Sequence, residues 1–131
     1  MTVPLVLDSS ALLAVSFREI GAAFVLDCIR DAGGENYIHG INACEVAYNL
    51  IRRGFSPAIA WKLSPPIGIH QIDDIAGAVG QRAVSLKAAH PFLSLGDCFA
   101  ISLAEQLNGY VLTSDRRFTE ADTNAEVRLI R

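Results

Sequence analysis

PLVLDSSALLAV, residues 4–15, decides the fold. PLVL (4–7) reads as a strand buried on both faces, because a strand covered on one side only would alternate apolar with polar residues. SSALLAV (9–15) reads as a helix. Asp8 lies between the two. A strand passing through one acid directly into a helix opens an α/β unit, in which parallel strands alternate with covering helices.

The rest of the chain continues that alternation. GAAFVLDCI (21–29) reads as a helix, NYIHG (36–40) as a short strand, and Asn42 as the cap of a helix running through Arg53. SPAIAWKL (56–63) is a short helix ended by Pro65-Pro66, and GIHQI (68–72) is a strand. Asp73 or Asp74 opens a helix towards Ala89, which Pro91 stops. Ser94 opens another, ending at Gly109. GYVLT (109–113) and EVRLI (126–130) complete the strands. The expected fold is a three-layer α/β/α arrangement around a central, mostly parallel sheet, in a single domain over residues 1–131.

Composition narrows the class. With 131 residues, 51% of them apolar, and a net charge of −3, the chain suits one domain that holds its core without disulfides. Disordered chains are poor in apolar residues and rich in net charge, so disorder is excluded. Cys28, Cys44 and Cys98 fall at unrelated spacings with no C-x-x-C, which argues against a disulfide framework or a zinc ribbon. No apolar run approaches the roughly 18 residues of a membrane span. The stretch VPLVLDSSALLAVSF lacks a basic leader and carries Asp8 in its middle, unlike a signal peptide. A cytoplasmic protein without a membrane partner is expected.

Open α/β sheets bind ligands beyond the carboxyl ends of their strands. Asp8 ends PLVL, and Asp115 follows YVLT by two positions. Each also suits a helix cap. Two unpaired acids beyond neighbouring strand ends would destabilise the fold unless a cation joined them. Asp97 forms an S-x-x-D capping pattern with Ser94, yet lies roughly 70° from the centre of its helix's apolar stripe, towards the sheet end. Glu45 falls opposite the stripe of Ala43, Val46, Ala47, Leu50 and Ile51, and periodicity alone reads it as solvated. His39, His70 and His90 share no ligand spacing and read as surface or strand-end residues. No G-x-S-x-G and no phosphate-binding glycine motif occurs. Arg116 and Arg117 follow Asp115 directly and could meet a phosphate backbone; ordinary solvated surface is the alternative.

Four blocks in order, VLDSSALLA, NACEVAYNL, LSLGDCFAISLAEQL and YVLTSDRRF, resemble the PIN-domain ribonucleases, in particular the short VapC-type toxins of toxin–antitoxin pairs. The closing EVRLIR matches the family's last strand. By that resemblance Asp8, Glu45, Asp97 and Asp115 correspond to the acidic quartet that holds divalent metal, and Ser10 and Thr113 to the small hydroxyl residues flanking the first and last acids. The resemblance implies endonucleolytic cleavage of RNA leaving a 5′-phosphate and a 3′-hydroxyl. It also implies Mg2+ or Mn2+ as cofactor, a VapB-type antitoxin as partner, and a homodimer. It moves Glu45 from a solvated residue to a ligand or a contact of metal-bound water. Asp122, in the polar segment after Phe118, reads as a loop residue.

The chemistry suits these residue types. Mg2+ and Mn2+ take oxygen ligands, and Mg2+ uses one or two carboxylates while keeping several waters. Setting the four acids aside turns the net charge from −3 to +1, so the remaining surface is nearly balanced rather than basic. Trp61, the tyrosines and any exposed phenylalanines could stack bases. A haloacid-dehalogenase-type phosphatase would need a second acid where Ser10 stands. A phospho-acceptor module would need a late lysine, and the last lysine is Lys87. A non-catalytic PIN-like interaction module and a PIN ribonuclease of RNA processing are the remaining alternatives.

Overall fold

The structure is a computed structural model and describes residues 2–66 and 68–131. Its elements run β1 (Leu5–Leu7), α1 (Ser9–Ser16), α2 (Ala22–Asp31), β2 (Asn36–His39), α3 (Gly40–Arg52), α4 (Pro57–Lys62) and β3 (His70–Ile72). They continue with α5 (Ala78–Ala89), α6 (Leu95–Leu107), β4 (Tyr110–Thr113), a 3-10 turn (Arg116–Glu120) and β5 (Glu126–Leu129). Among the described residues five strands form one sheet in the order β3-β2-β1-β4-β5, with every pairing parallel.

The central strand β1 and its neighbour β4 are the two most apolar ones. All residues of β1 and β4 are buried, whereas the edge strand β3 is largely exposed and the other edge, β5, alternates. Side chains of successive strand residues point to opposite faces. Leu5, Leu7, Tyr110 and Leu112 therefore join the core beneath α1–α4, while Val6 and Val111 join Val79, Leu86, Leu103 and Phe118 beneath α5 and α6. This is the three-layer α/β/α arrangement expected.

Three local expectations are corrected. The cap of α3 is His39, whose Nδ1 accepts the Ile41 N–H at 3.1 Å; Asn42 lies inside the helix, wholly buried. His39 also donates through Nε2 to the Asp74 carbonyl at 2.8 Å, so both ring nitrogens are used structurally. The helix expected from Asp73 or Asp74 begins at Ala78. Asp74 does serve its start, accepting from the Gly77 and Val79 N–H groups at 2.7 and 3.1 Å, but across an intervening bend. Gly80 follows that bend, where a Cβ would fall 1.5 Å from the Ile75 carbonyl oxygen. His90 is neither superficial nor at a strand end: it is buried at the end of α5, donates through Nδ1 to the Leu86 carbonyl and accepts the Asp122 N–H through Nε2.

The connection β1-α1-α2-β2 builds the sheet to one side of β1, and the chain later returns to add β4 on the other. The carboxyl ends of β1 and β4 thus flank the point where strand order reverses, which is where open α/β sheets take ligands.

Candidate active site

Asp8 directly follows β1 in the N-cap position of α1, yet its side chain accepts no hydrogen bond from the helix backbone. Its Oδ2 is held from two sides. Ser10 Oγ donates at 2.7 Å and Thr113 Oγ1 at 2.9 Å. Both hydroxyls are themselves fixed, since Ser10 Oγ accepts the Ser114 N–H and Thr113 Oγ1 the Asp115 N–H, each at 3.0 Å. Oδ1 is buried with no hydrogen-bond partner among the described residues. Asp8 is only 3% exposed, and burial pushes its pKa up from 3.8 to about 7, with Asp97 and Glu45 adding repulsion and the two hydroxyls opposing. An unpartnered buried carboxylate oxygen costs several kcal/mol in a protein interior and asks for a cation.

Glu45 is not solvated, contrary to its helical phase. It is half-buried, because α3 is packed against α1, α4 and α6 as well as the sheet. Ile51, counted in the stripe, is instead exposed. Asn42 Nδ2 donates both to Glu45 Oε1 at 2.9 Å and to the Gly96 carbonyl at 3.0 Å, tying the acid to the start of α6. Gly96 leaves the necessary space, since a Cβ there would stand 2.7 Å from one Glu45 carboxylate oxygen and 2.8 Å from the other. Burial raises the Glu45 pKa; the Asn42 hydrogen bond and the nearby Ser9 hydroxyl oppose this, and Asp97 reinforces it. Asn42, Gly96 and Ser9 escape sequence reading as site residues. The three-residue interval from Asn42 to Glu45 on one helix is the only trace of them.

Asp97 makes the capping box read from its spacing. Its Oδ2 accepts the Ser94 N–H at 2.9 Å while Ser94 Oγ accepts the Asp97 N–H at 3.1 Å, a complete capping box. Its carboxyl also lies close enough to repel Asp8, Glu45 and Asp115 electrostatically, and burial raises its pKa. Asp115 differs from the other three. Its carboxylate accepts the Arg117 N–H at 2.9 Å and is gripped by Nε at 3.1 Å to each oxygen and by Nη2 at 2.7 Å. Arg117 is anchored from its far side too, Nη1 donating to the Phe92 carbonyl at 3.0 Å. The guanidinium holds the Asp115 carboxyl below its ordinary range. Arg117 is thus committed to partners within the protein, although it is exposed, as is Arg116.

The four acids therefore form an electrostatic chain at the carboxyl edge of the sheet: Asp8, Glu45, Asp97, Asp115. Among the described residues no three His, Cys, Asp or Glu side chains converge into a ready-made cage. The three cysteines are free, with Cys44 exposed and the others buried. Trp61 and Tyr48 are each 55% exposed, on α4 and α3. No helix among the described residues is long and apolar enough to cross a membrane.

The sequence model of the PIN domain matches residues 5–124. The chain belongs to the PIN domain family. No curated protein matches it significantly in sequence. Solved structures share the PIN fold at low identity. The DNA-bound VapBC of Salmonella typhimurium aligns with a TM-score of 0.72 and 11% identity over 99% of this chain and 100% of that one. A toxin–antitoxin complex from Klebsiella pneumoniae gives 0.71 and 17%, over 97% and 98%. VapBC2 from Rickettsia felis, bound to a DNA fragment from its promoter, gives 0.69 and 13%, over 95% and 97%. The all-parallel sheet with helices on both faces is thus the PIN architecture, and the acid-bearing strand ends are its carboxyl edge.

Proposed function

We propose that this PIN-domain protein is a divalent-metal-dependent endoribonuclease of the VapC type, with Asp8, Glu45, Asp97 and Asp115 as the acidic site. The observation that carries the reading is Asp8 Oδ1, a wholly buried carboxylate oxygen left bare while the other oxygen is clamped by two hydroxyls. The donor set is all oxygen, which suits Mg2+ or Mn2+ rather than a softer ion. Such ions keep bound waters, so separated carboxylates rather than a closed cage fit them. A divalent cation there would supply Lewis acidity and a water acidic enough to attack a phosphodiester.

The protein's own part is orientation. Ser10 and Thr113 fix the Asp8 carboxylate so that its bare oxygen is free for a cation. Asn42 holds one Glu45 oxygen, and Ser94 one Asp97 oxygen, leaving each acid an oxygen for the site. Glu45, half-buried and raised in pKa, is suited to ligate or to accept a proton from water. A VapB-type antitoxin and a second copy of the chain are the proposed protein partners. Exposed apolar side chains on and around α4 (Phe55, Ile59, Trp61, Leu63) and an apolar recess of about 470 Å3 lined by Leu50, Phe55, Leu63 and Pro66 support a protein-covered face. The test is cleavage of total cellular RNA by purified protein with Mg2+, Mn2+ or EDTA. Metal-dependent discrete cuts are expected, and Asp8→Asn is expected to lose them while melting cooperatively. Persistent metal-dependent cutting by Asp8→Asn would overturn the assignment.

A further inference from the structure

Beside the acids lies a small polar recess of about 190 Å3 that the acid chemistry does not use. Ser10 and Ser114 form its wall towards Asp8, and Phe17, Glu19, Asn49, Arg53 and Arg131 are among the residues lining the rest. Ser10 is shared with the acidic site, because the same Oγ that donates to Asp8 accepts the Ser114 N–H. The recess therefore adjoins the acidic site across Ser10, although none of the four acids lines it. It is smaller than the roughly 300–1,000 Å3 of small-molecule sites and open to solvent, which suits a passing strand.

Arg53 gives the recess its character. It caps the end of α3, and its guanidinium lies 3.9 Å from the centre of the Phe17 ring. Stacking on an aromatic ring fixes the guanidinium at low entropic cost. Among the described residues it makes neither an ion pair nor a side-chain hydrogen bond, unlike Arg82, Arg117 and Arg128, which each hold a carboxylate. Glu19, the acid of the recess, faces Arg131 at 4.0 Å. A charged fork with all its donors open, held in place beside an acidic cleavage site, fits a phosphate.

We propose that this recess is a subsite for a phosphodiester group of the RNA strand adjoining the one to be cut, with Arg53 as its charged contact and the Ser114 hydroxyl as a second donor. The inference rests on the nuclease reading. It also explains how a chain of net charge −3 draws a polyanion towards its own acids: the attraction is local, placed beside the carboxylates rather than spread over the surface.

The experiment is fluorescence anisotropy of a short labelled oligouridylate with full-length protein in Mg2+, over a range of salt, with the RNA checked intact on a gel. Arg53→Gln is expected to weaken binding about tenfold at low salt, the order of one charge-assisted contact. It should also lower the slope of log affinity against log salt by about 0.7, one single-strand phosphate. Arg53→Lys should restore the slope, since it keeps the charge. Arg52→Gln removes the same charge from the neighbouring residue, which bonds Tyr48 instead of lining the recess, and should leave the slope unchanged. Equal effects of Arg52→Gln and Arg53→Gln would reduce the contribution to net charge and overturn the subsite. Wild-type binding unaffected by Arg53→Gln would overturn it too, with the nuclease reading intact. Wild-type protein that binds no RNA would remove both. Melting curves and Mn2+ calorimetry on each variant separate loss of the subsite from loss of the fold or of the acidic site.

Discussion

Asp8 makes the stability of the metal-free protein fall as pH rises, the reverse of most carboxylates. Its pKa is 3.8 unfolded and about 7 in the native state, so the folded chain binds this proton more tightly. The stabilisation is complete below pH 3.8 and is lost as pH climbs through about 7. At about 1.36 kcal/mol per pH unit, that interval amounts to about 4 kcal/mol. Between pH 5 and pH 8 roughly 2–3 kcal/mol of it disappears, a large part of the ~5–15 kcal/mol that holds a domain together. Glu45 and Asp97, raised by burial, act in the same direction. Asp115 and Glu105, lowered by Arg117 and Arg82, act oppositely, but their stabilisation is already present above the ordinary carboxylate range. The assay is urea unfolding in EDTA at a series of pH values from about 5 to about 8, for wild type and Asp8→Asn. The amide introduced by Asp8→Asn can keep both hydroxyl hydrogen bonds and carries no charge, so the variant's curve should lose most of the slope whatever its absolute stability. Mn2+ should flatten the wild-type curve by neutralising the carboxylate and leave Asp8→Asn unaltered. A wild-type stability flat over this range, or an equal slope in Asp8→Asn, would refute the burial argument.

Gly96→Ala should separate activity from folding: the new methyl meets the flexible end of Glu45, so melting should shift little, while RNA cleavage should fall about tenfold or more as the carboxylate is displaced. Thermal melting read alongside cleavage checks this, and a large loss of stability with full specific activity would contradict it. Arg117→Ala should release Asp115, raising its pKa towards the ordinary range and tightening Mn2+ binding several-fold by calorimetry, because the guanidinium competes with the metal for that carboxylate. Unchanged or weaker Mn2+ binding would show that Arg117 does not hold Asp115 back.

The parts of the fold legible from the sequence are those fixed by local chemistry. Fully buried parallel strands must be continuous apolar runs, so PLVL and YVLT stand out, and with them the acids that follow. Ser94 and Asp97 are legible for a similar reason, since a capping box closes within one turn. Glu45 misleads because a helical count sees one stripe, whereas α3 is also covered by α1, α4 and α6, and α6 comes from residues far along the chain. Asn42 resembles a cap because its type and place suit one; its real partner, the Gly96 carbonyl, is 54 positions away. The start of α5 falls later than the acids suggest because Asp74 reaches the helix's N–H groups across a bend rather than standing at its first turn. The ion pair of Arg117 with Asp115 spans only two residues, but its grip depends on the distant Phe92 carbonyl and is not written in the spacing.

The clamp on Asp8 joins residue 8 to residue 113, and β1 gains its second neighbour only from β4. Contacts of such long sequence separation form late, because the intervening loop must be ordered first. During synthesis the N-terminal half, with Asp8 and Glu45, emerges well before the strand that carries Thr113. Until that strand inserts, Oδ2 of Asp8 lacks one of its two clamps, and Asp115 has not arrived. Under the proposed nuclease reading, a nascent chain on the ribosome therefore lacks the complete acidic site, whose clamp on Asp8 waits for β4 to pair with β1.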